Sequence, residues 1–278
     1  MDTLTIDYNG PMFSENFAEP LHHTGFAVIK NHPVSENLIN KVYKDWGAFF
    51  KSDKKHDYIY HYEKQDGYFP FKSENAYNKE QKDLKEFFHI YPLWGRYPDF
   101  ISRDTLKLFN ILENLGSDLL SLLEQYSLDK IKSKYSEPLN KMAEQSSQNL
   151  MRVIHYPPIR LSDHPDAIRA GAHTDINLIT LLVSGSQPGL QVQNKTGQWI
   201  DIKSERGQIV INIGDMLQEA SSGFFPSTVH RVINPEKLNN LSRYSIPLFI
   251  HPRPEVILSE RHTADSYLLE RLKEIGLK

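Results

Sequence analysis

The chain has 278 residues, no cysteine and a formal net charge of −3. Without cysteine it can form no disulfide, no thiolate nucleophile and no cysteine-ligated zinc or iron–sulfur centre. Charged residues make up 24% and hydrophobic residues 39%, the balance of a globular chain with no basic excess to hold nucleic acid.

The N-terminal segment carries Asp2, Asp7 and Glu15 and no long apolar run, which argues against a secretory signal. No stretch of about 18 apolar residues is present to cross a membrane. Together with the missing cysteines, this sets a cytoplasmic location as the expectation. A short strand is expected in "GFAVIKNH", residues 25–32. In "SENLINKVYKDWGAFF", Leu38, Ile39, Val42, Trp46, Phe49 and Phe50 recur at helical spacing. In "RDTLKLFNILENLGSDLLSLLEQYSL", Leu106, Phe109, Leu112, Leu119 and Leu123 do the same, with Asp104 as the expected N-cap.

Near residue 150 the texture changes. Short strands follow one another: "LMRVIHY", "LITLLVS", "GLQVQN", "GQWIDIK", "QIVINIG", "STVHRVI" and "RYSIPLFIH". Glycine, proline and polar turns separate them, and "ADSYLLERLKEI" is expected to close the chain as a helix. The pattern is mainly β with a helical annex, a sandwich or jelly roll. The expected division is a mostly helical region, 1–145, and a jelly-roll core, 146–278, forming one integrated unit.

"AHTDINLITLL", residues 172–182, reads as a buried strand with His173 and Asp175 at its front edge. Residues two apart on a strand share a face, so the imidazole and the carboxylate can reach one point. A third ligand has to come from another strand, and His230 in "STVHRVINP" is the best candidate. Two histidines and one carboxylate suit non-haem Fe(II) and leave positions open for a co-substrate and O2; the same donors also suit zinc. Shortly after His230 stand Arg243 and Ser245, again two apart on an apolar strand. A guanidinium fork with a neighbouring hydroxyl is a good receiver for a carboxylate.

In this order and spacing, with "GFAVIKNHPV", "GYFPFKSENA", "DLKEFFHI", "GLQVQNKTGQWIDI", "GQIVINIGDMLQEASSG" and "STVHRVINP" around it, the chain resembles the iron- and 2-oxoglutarate-dependent dioxygenases of the isopenicillin N synthase-like branch. The resemblance covers nearly the whole chain. It implies a double-stranded β-helix core wrapped by N-terminal helices, with His173, Asp175 and His230 as iron ligands. It implies 2-oxoglutarate as co-substrate, its distal carboxylate on Arg243, Ser245 and Tyr156, with O2 as oxidant and ascorbate as an auxiliary reductant. The partner is then a small molecule, and the outcome hydroxylation, desaturation or ring closure. Halogenating relatives lack the carboxylate ligand that Asp175 supplies here.

The family often has asparagine two residues before the tyrosine, where this chain has Ile154. The alternative is therefore an iron oxidase or cyclase of the isopenicillin N synthase or ACC oxidase type, which does without 2-oxoglutarate. A zinc hydrolase and a non-catalytic binding module stay open on the residues alone. Arg152, Tyr68, Phe249 and His251 are the candidate substrate contacts, and an interior Arg152 would suggest an acidic substrate.

Overall fold

The structure, a computed structural model, describes residues 5–74, 81–236 and 239–274. The ends of "GYFPFKSENA" and "ADSYLLERLKEI" lie outside the described residues. The first half contains β1 (Thr5–Asp7), α1 (Phe13–Thr24), β2 (Phe26–Lys30), α2 (Glu36–Lys51), β3 (Gly67–Phe69), β4 (Glu86–Ile90) and α3 (Asp104–Tyr126). Two short helices follow, α4 (Asp129–Lys132) and α5 (Leu139–Met142). Then come β5 (Leu150–Tyr156), β6 (Ala170–His173), β7 (Ile179–Val183), β8 (Leu190–Gln193), β9 (Trp199–Asp201) and β10 (Ile209–Ile213). The last elements are α6 (Asp215–Ala220), β11 (His230–Val232), β12 (Arg243–Ile250) and α7 (Ala264–Glu274).

The helices form where the apolar spacing predicts. Ser35 caps α2 by accepting from the Leu38 amide at 3.3 Å, and all six apolar residues of its stripe are buried. The Trp46 indole donates to Thr105 Oγ1 at 2.9 Å and ties α2 to α3. Asp104 is not the N-cap of α3. Arg103 holds that position, and the Asp104 carboxylate is taken instead by Lys41 of α2 and by Ser102.

The strands make two sheets. One has eight strands in the order β1-β2-β10-β7-β12-β5-β4-β3, and the other four in the order β6-β11-β8-β9. The large sheet draws on both halves of the chain: β2 pairs with β10, and β4 with β5. The region before residue 145 is thus less purely helical than its sequence texture suggests, because four of its segments extend the sheet of the core.

Alternation gives the large sheet two unlike faces. One packs on the helices through Trp46, Phe49, Leu112, Leu119, Leu181 and Leu248. The other looks into the barrel, where Phe26, Val28, Phe87, Ile154 and Val210 meet Val192 and Val232 of the small sheet. This is a jelly roll, the double-stranded β-helix, with its functional candidates on the inner face.

Candidate metal centre and anion pocket

β6 ends at His173, so Asp175 does not continue the strand. It lies in the turn leading to β7. Simple strand alternation therefore does not bring the two side chains together; the turn does. Main-chain bonds hold that turn: Asp215 N donates to Asp175 O at 2.7 Å, Met216 N to Asn177 O at 3.1 Å, and Leu178 N to Ile250 O at 2.9 Å. Gly214 is required beside it, because a Cβ there would sit 2.1 Å from the Asn177 carbonyl oxygen.

His230 of β11 is the direct cross-strand partner of His173, with ring centroids 4.4 Å apart. Asp175 Oδ1 stands 3.9 Å from His173 Nε2 and 3.8 Å from His230 Nε2. One donor atom from each of the three residues lies within 4.8 Å of the others, a group that could hold a metal ion.

The hydrogen bonds behind these donors prepare them. His173 Nδ1 lies 2.7 Å from the Gly171 carbonyl and His230 Nδ1 lies 3.2 Å from the Thr228 carbonyl. A carbonyl only accepts, so Nδ1–H donates and Nε2 keeps its lone pair for a metal. Asp175 Oδ2 accepts from Thr180 Oγ1 at 2.6 Å and Asn212 Nδ2 at 2.8 Å, which leaves Oδ1 facing the imidazoles. Burial pushes the Asp175 carboxyl up, but the two imidazoles and these two donors outweigh that and hold it below the usual range. Burial and the facing His230 push the His173 imidazole down to about 4, so it is neutral at pH 7. A neutral His173 imidazole and an ionised Asp175 carboxylate are the states a divalent metal needs.

The second group lies across the barrel on β12 and β5. Arg243 is opposite Tyr156, and Ser245 is opposite Ile154. The Arg243 guanidinium lies 5.2 Å from the centre of the Tyr156 ring, and its Nε donates to Gln187 O at 2.9 Å. Its Nη1 is buried with no hydrogen-bond partner. The cradle is tight, since a Cβ on Gly185 would lie 2.8 Å from Nη2. A buried cation with an unused donor is costly unless an anion meets it.

Of the four candidate substrate contacts, the inner face holds Arg152 and Phe249. Arg152 donates from Nε to His89 Nε2 at 2.7 Å and from Nη1 to Glu74 Oε2 at 3.2 Å. It lies over the rings of Phe87 and Phe249 at 4.3 and 5.7 Å. His251 follows β12, where burial pushes its imidazole down to about 4 and the Asp175 charge partly opposes this. Tyr68 belongs to the other face. It packs in the helix-side core, and its hydroxyl donates to Glu86.

Sequence reading misses part of this wall. Lys85 is buried between Glu74 at 2.7 Å and Asp83 at 2.8 Å, and Asp83 Oδ1 accepts from the Gly171 amide at 2.9 Å. The available signal is the alternation Asp83, Lys85, Phe87, His89. It also misses Arg169, a buried arginine just before β6.

The fold and the site together present a jelly roll with three residues that could hold a metal ion and a buried arginine with an unused donor. Residues 147–252 match the family profile described as the 2OG-Fe(II) oxygenase superfamily. Residues 6–105 match that of the non-haem dioxygenase in morphine synthesis, N-terminal. A Shewanella oneidensis protein described as an oxygenase is 49% identical, with a TM-score of 0.91 and all of both chains covered. A 2OG-Fe(II) oxygenase family protein from Caulobacter crescentus is 29% identical, with a TM-score of 0.80 over 98% of this chain and 99% of that one. A 2-oxoglutarate-Fe(II) type oxidoreductase of Aspergillus fumigatus is 36% identical over 108 residues, 38% of this chain and 31% of its own length. The first curated relatives are matched over only 30% to 41% of their length. The chain belongs to the 2OG-Fe(II) oxygenase superfamily.

Proposed function

We propose that the chain is a non-haem Fe(II)- and 2-oxoglutarate-dependent oxygenase that oxidises a small molecule, most simply by hydroxylation, with release of succinate and CO2. The observation that carries this is the pairing of two prepared sites in one barrel. Three convergent metal donors, each fixed by its own hydrogen bond, face a buried arginine with an unused donor. His173, Asp175 and His230 would hold the iron. Arg243, Ser245 and Tyr156 would receive the distal carboxylate of the co-substrate. Bound Fe(II) supplies the activation of O2 that is coupled to oxidative decarboxylation of 2-oxoglutarate.

The residues of the chain then do the positioning. Thr180 and Asn212 hold Asp175 with Oδ1 forward. Phe26, Val28, Leu182 and Val210 keep the inner wall apolar and water out. The substrate would lie toward Arg152, Phe249 and His251. Because Glu74 already meets the Arg152 charge, and Lys85 sits between two carboxylates, that wall offers donors and acceptors together. It suits a polar, uncharged small molecule better than an acid. Among the described residues no helix is long and apolar enough to cross a membrane, and the cysteine-free composition fits a cytoplasmic setting.

One observation favours the reading without 2-oxoglutarate. Ile154 stands opposite Ser245 in the apolar inner cluster, where a polar contact to the co-substrate would otherwise be available. Anaerobic addition of Fe(II) and 2-oxoglutarate separates the two. The expected result is a weak visible charge-transfer band that is absent in Asp175→Ala, followed by succinate on admitting air. Iron binding and O2 uptake with neither band nor succinate would instead establish the oxidase reading.

A further inference from the structure

Arg243 is not the only buried cation in the pocket. Arg169 is 1% exposed and Arg243 is 2% exposed. Arg169 donates from Nη2 to the Leu241 carbonyl, while its Nε is buried with no partner. Burial and then the charge of Arg243 push the Arg169 guanidinium down to about 10, and Tyr156 acts in the opposite sense. The bond to Leu241 brings the Arg169 fork to the start of β12, two residues before Arg243, whose guanidinium lies 5.2 Å from the centre of the Tyr156 ring. Among the described residues no carboxylate pairs with either. This contrasts with the neighbouring wall, where Lys85 and Arg152 both have acidic partners.

Two buried like charges without a counter-ion repel each other and lose hydration together. An arrangement of this kind is complementary to a missing anion that two forks can share. Resting on the reading above, we propose that Arg169 is a second binding residue for the distal carboxylate of the 2-oxo acid, its free Nε donating alongside Arg243 Nη1, and that it makes the pocket selective for 2-oxo diacids.

The test measures binding rather than turnover. Protein loaded with Mn(II) in place of iron is titrated by calorimetry with 2-oxoglutarate and with 2-oxobutyrate, which lacks the distal carboxylate. Wild type should bind 2-oxoglutarate much the tighter. Arg169→Gln should weaken 2-oxoglutarate by about 10- to 100-fold, the scale of one charge-assisted hydrogen bond, and leave 2-oxobutyrate and Mn(II) affinity unchanged. Unchanged 2-oxoglutarate affinity in Arg169→Gln overturns the assignment. So does a parallel loss for both acids with intact Mn(II) binding. Should the glutamine variant fail to fold, Arg169→Lys decides. It keeps the charge but not the Nε donor, so weaker 2-oxoglutarate binding supports the assignment and wild-type affinity overturns it. A wild type that binds Mn(II) but not 2-oxoglutarate removes the 2-oxoglutarate reading itself, a different failure.

Discussion

Thr180 and Asn212 never touch the proposed metal, yet both hydroxyl and amide point at one oxygen of Asp175. Removing such a support typically weakens metal binding by about 10- to 100-fold. Thr180→Val should therefore lower Fe(II) or Mn(II) affinity by about that factor while the far-ultraviolet dichroism stays that of wild type; equilibrium dialysis reads the first. Asp175→Ala should abolish both metal retention and succinate formation. At this scale the sequence offers candidate ligands and says little about what aims them. His173, Asp175, His230, Arg243 and Ser245 stand out as candidates by residue type, order and spacing. Thr180 and Asn212 look like ordinary strand polar residues, because their role comes from β7 and β10 lying side by side. Arg169 is invisible for a similar reason: its meaning depends on Arg243, distant in sequence, and only the fold ties Arg169 to Leu241, two residues before it.

Elements carry the next set of consequences. β3, β4, β5 and the helical turn that follows α2 are joined by Glu86, which accepts from His155 Nδ1 and Lys55 Nζ at 2.7 and 2.9 Å and from the Tyr68 hydroxyl. Burial pushes the Glu86 carboxyl up, but these donors outweigh it and leave it below the usual carboxylate range. A carboxylate held below its unfolded value stabilises the fold above the unfolded pKa and loses that contribution as pH falls through the folded one. Glu86→Gln should thus destabilise the protein at pH 7 and flatten the acid limb of a urea-unfolding series from pH 6 to pH 3. On the pocket side, Gly185→Ala pushes a methyl into the Arg243 guanidinium, the movable end of a side chain. The expected outcome is a folded protein with weakened 2-oxoglutarate binding, read by the same calorimetry. Strand positions are legible from alternation, and β5 and β12 fall where the apolar runs place them. β3 and β4 are not, since aromatic and charged residues crowd "GYF" and "EFFHI" and both faces are buried. The turn carrying Asp175 reads as strand for a related reason: Ile176 and Leu178 extend the apolar run past the true end of β6.

For the whole molecule, ligand occupancy and stability are linked. A species that binds only the folded protein stabilises it by about 2.7 kcal/mol at 100 times its dissociation constant. For a chain of this size that is a rise of about 5 °C in Tm. Mn(II) with 2-oxoglutarate should give a rise of this order by scanning calorimetry, and Arg243→Ala should remove the part due to the 2-oxo acid. The jelly roll as a class is legible from short strands and turn residues. The sharing of one sheet by both halves of the chain is not, because pairing between distant segments leaves no local mark. That sharing has a consequence in time. Val28 of β2 pairs with Val210 of β10, which is made only when most of the chain has been synthesised. β1 joins the sheet only through β2. At the usual pace of a ribosome, β2 waits on the order of ten to forty seconds for its partner to be made. Until then a strand buried at four of its five positions has only β1 on one edge and α1 beside it. One edge of β2 therefore stays open while the chain is being made, an invitation to aggregation, and its cover during synthesis rests on β1, α1 and α2 or a chaperone rather than on β10.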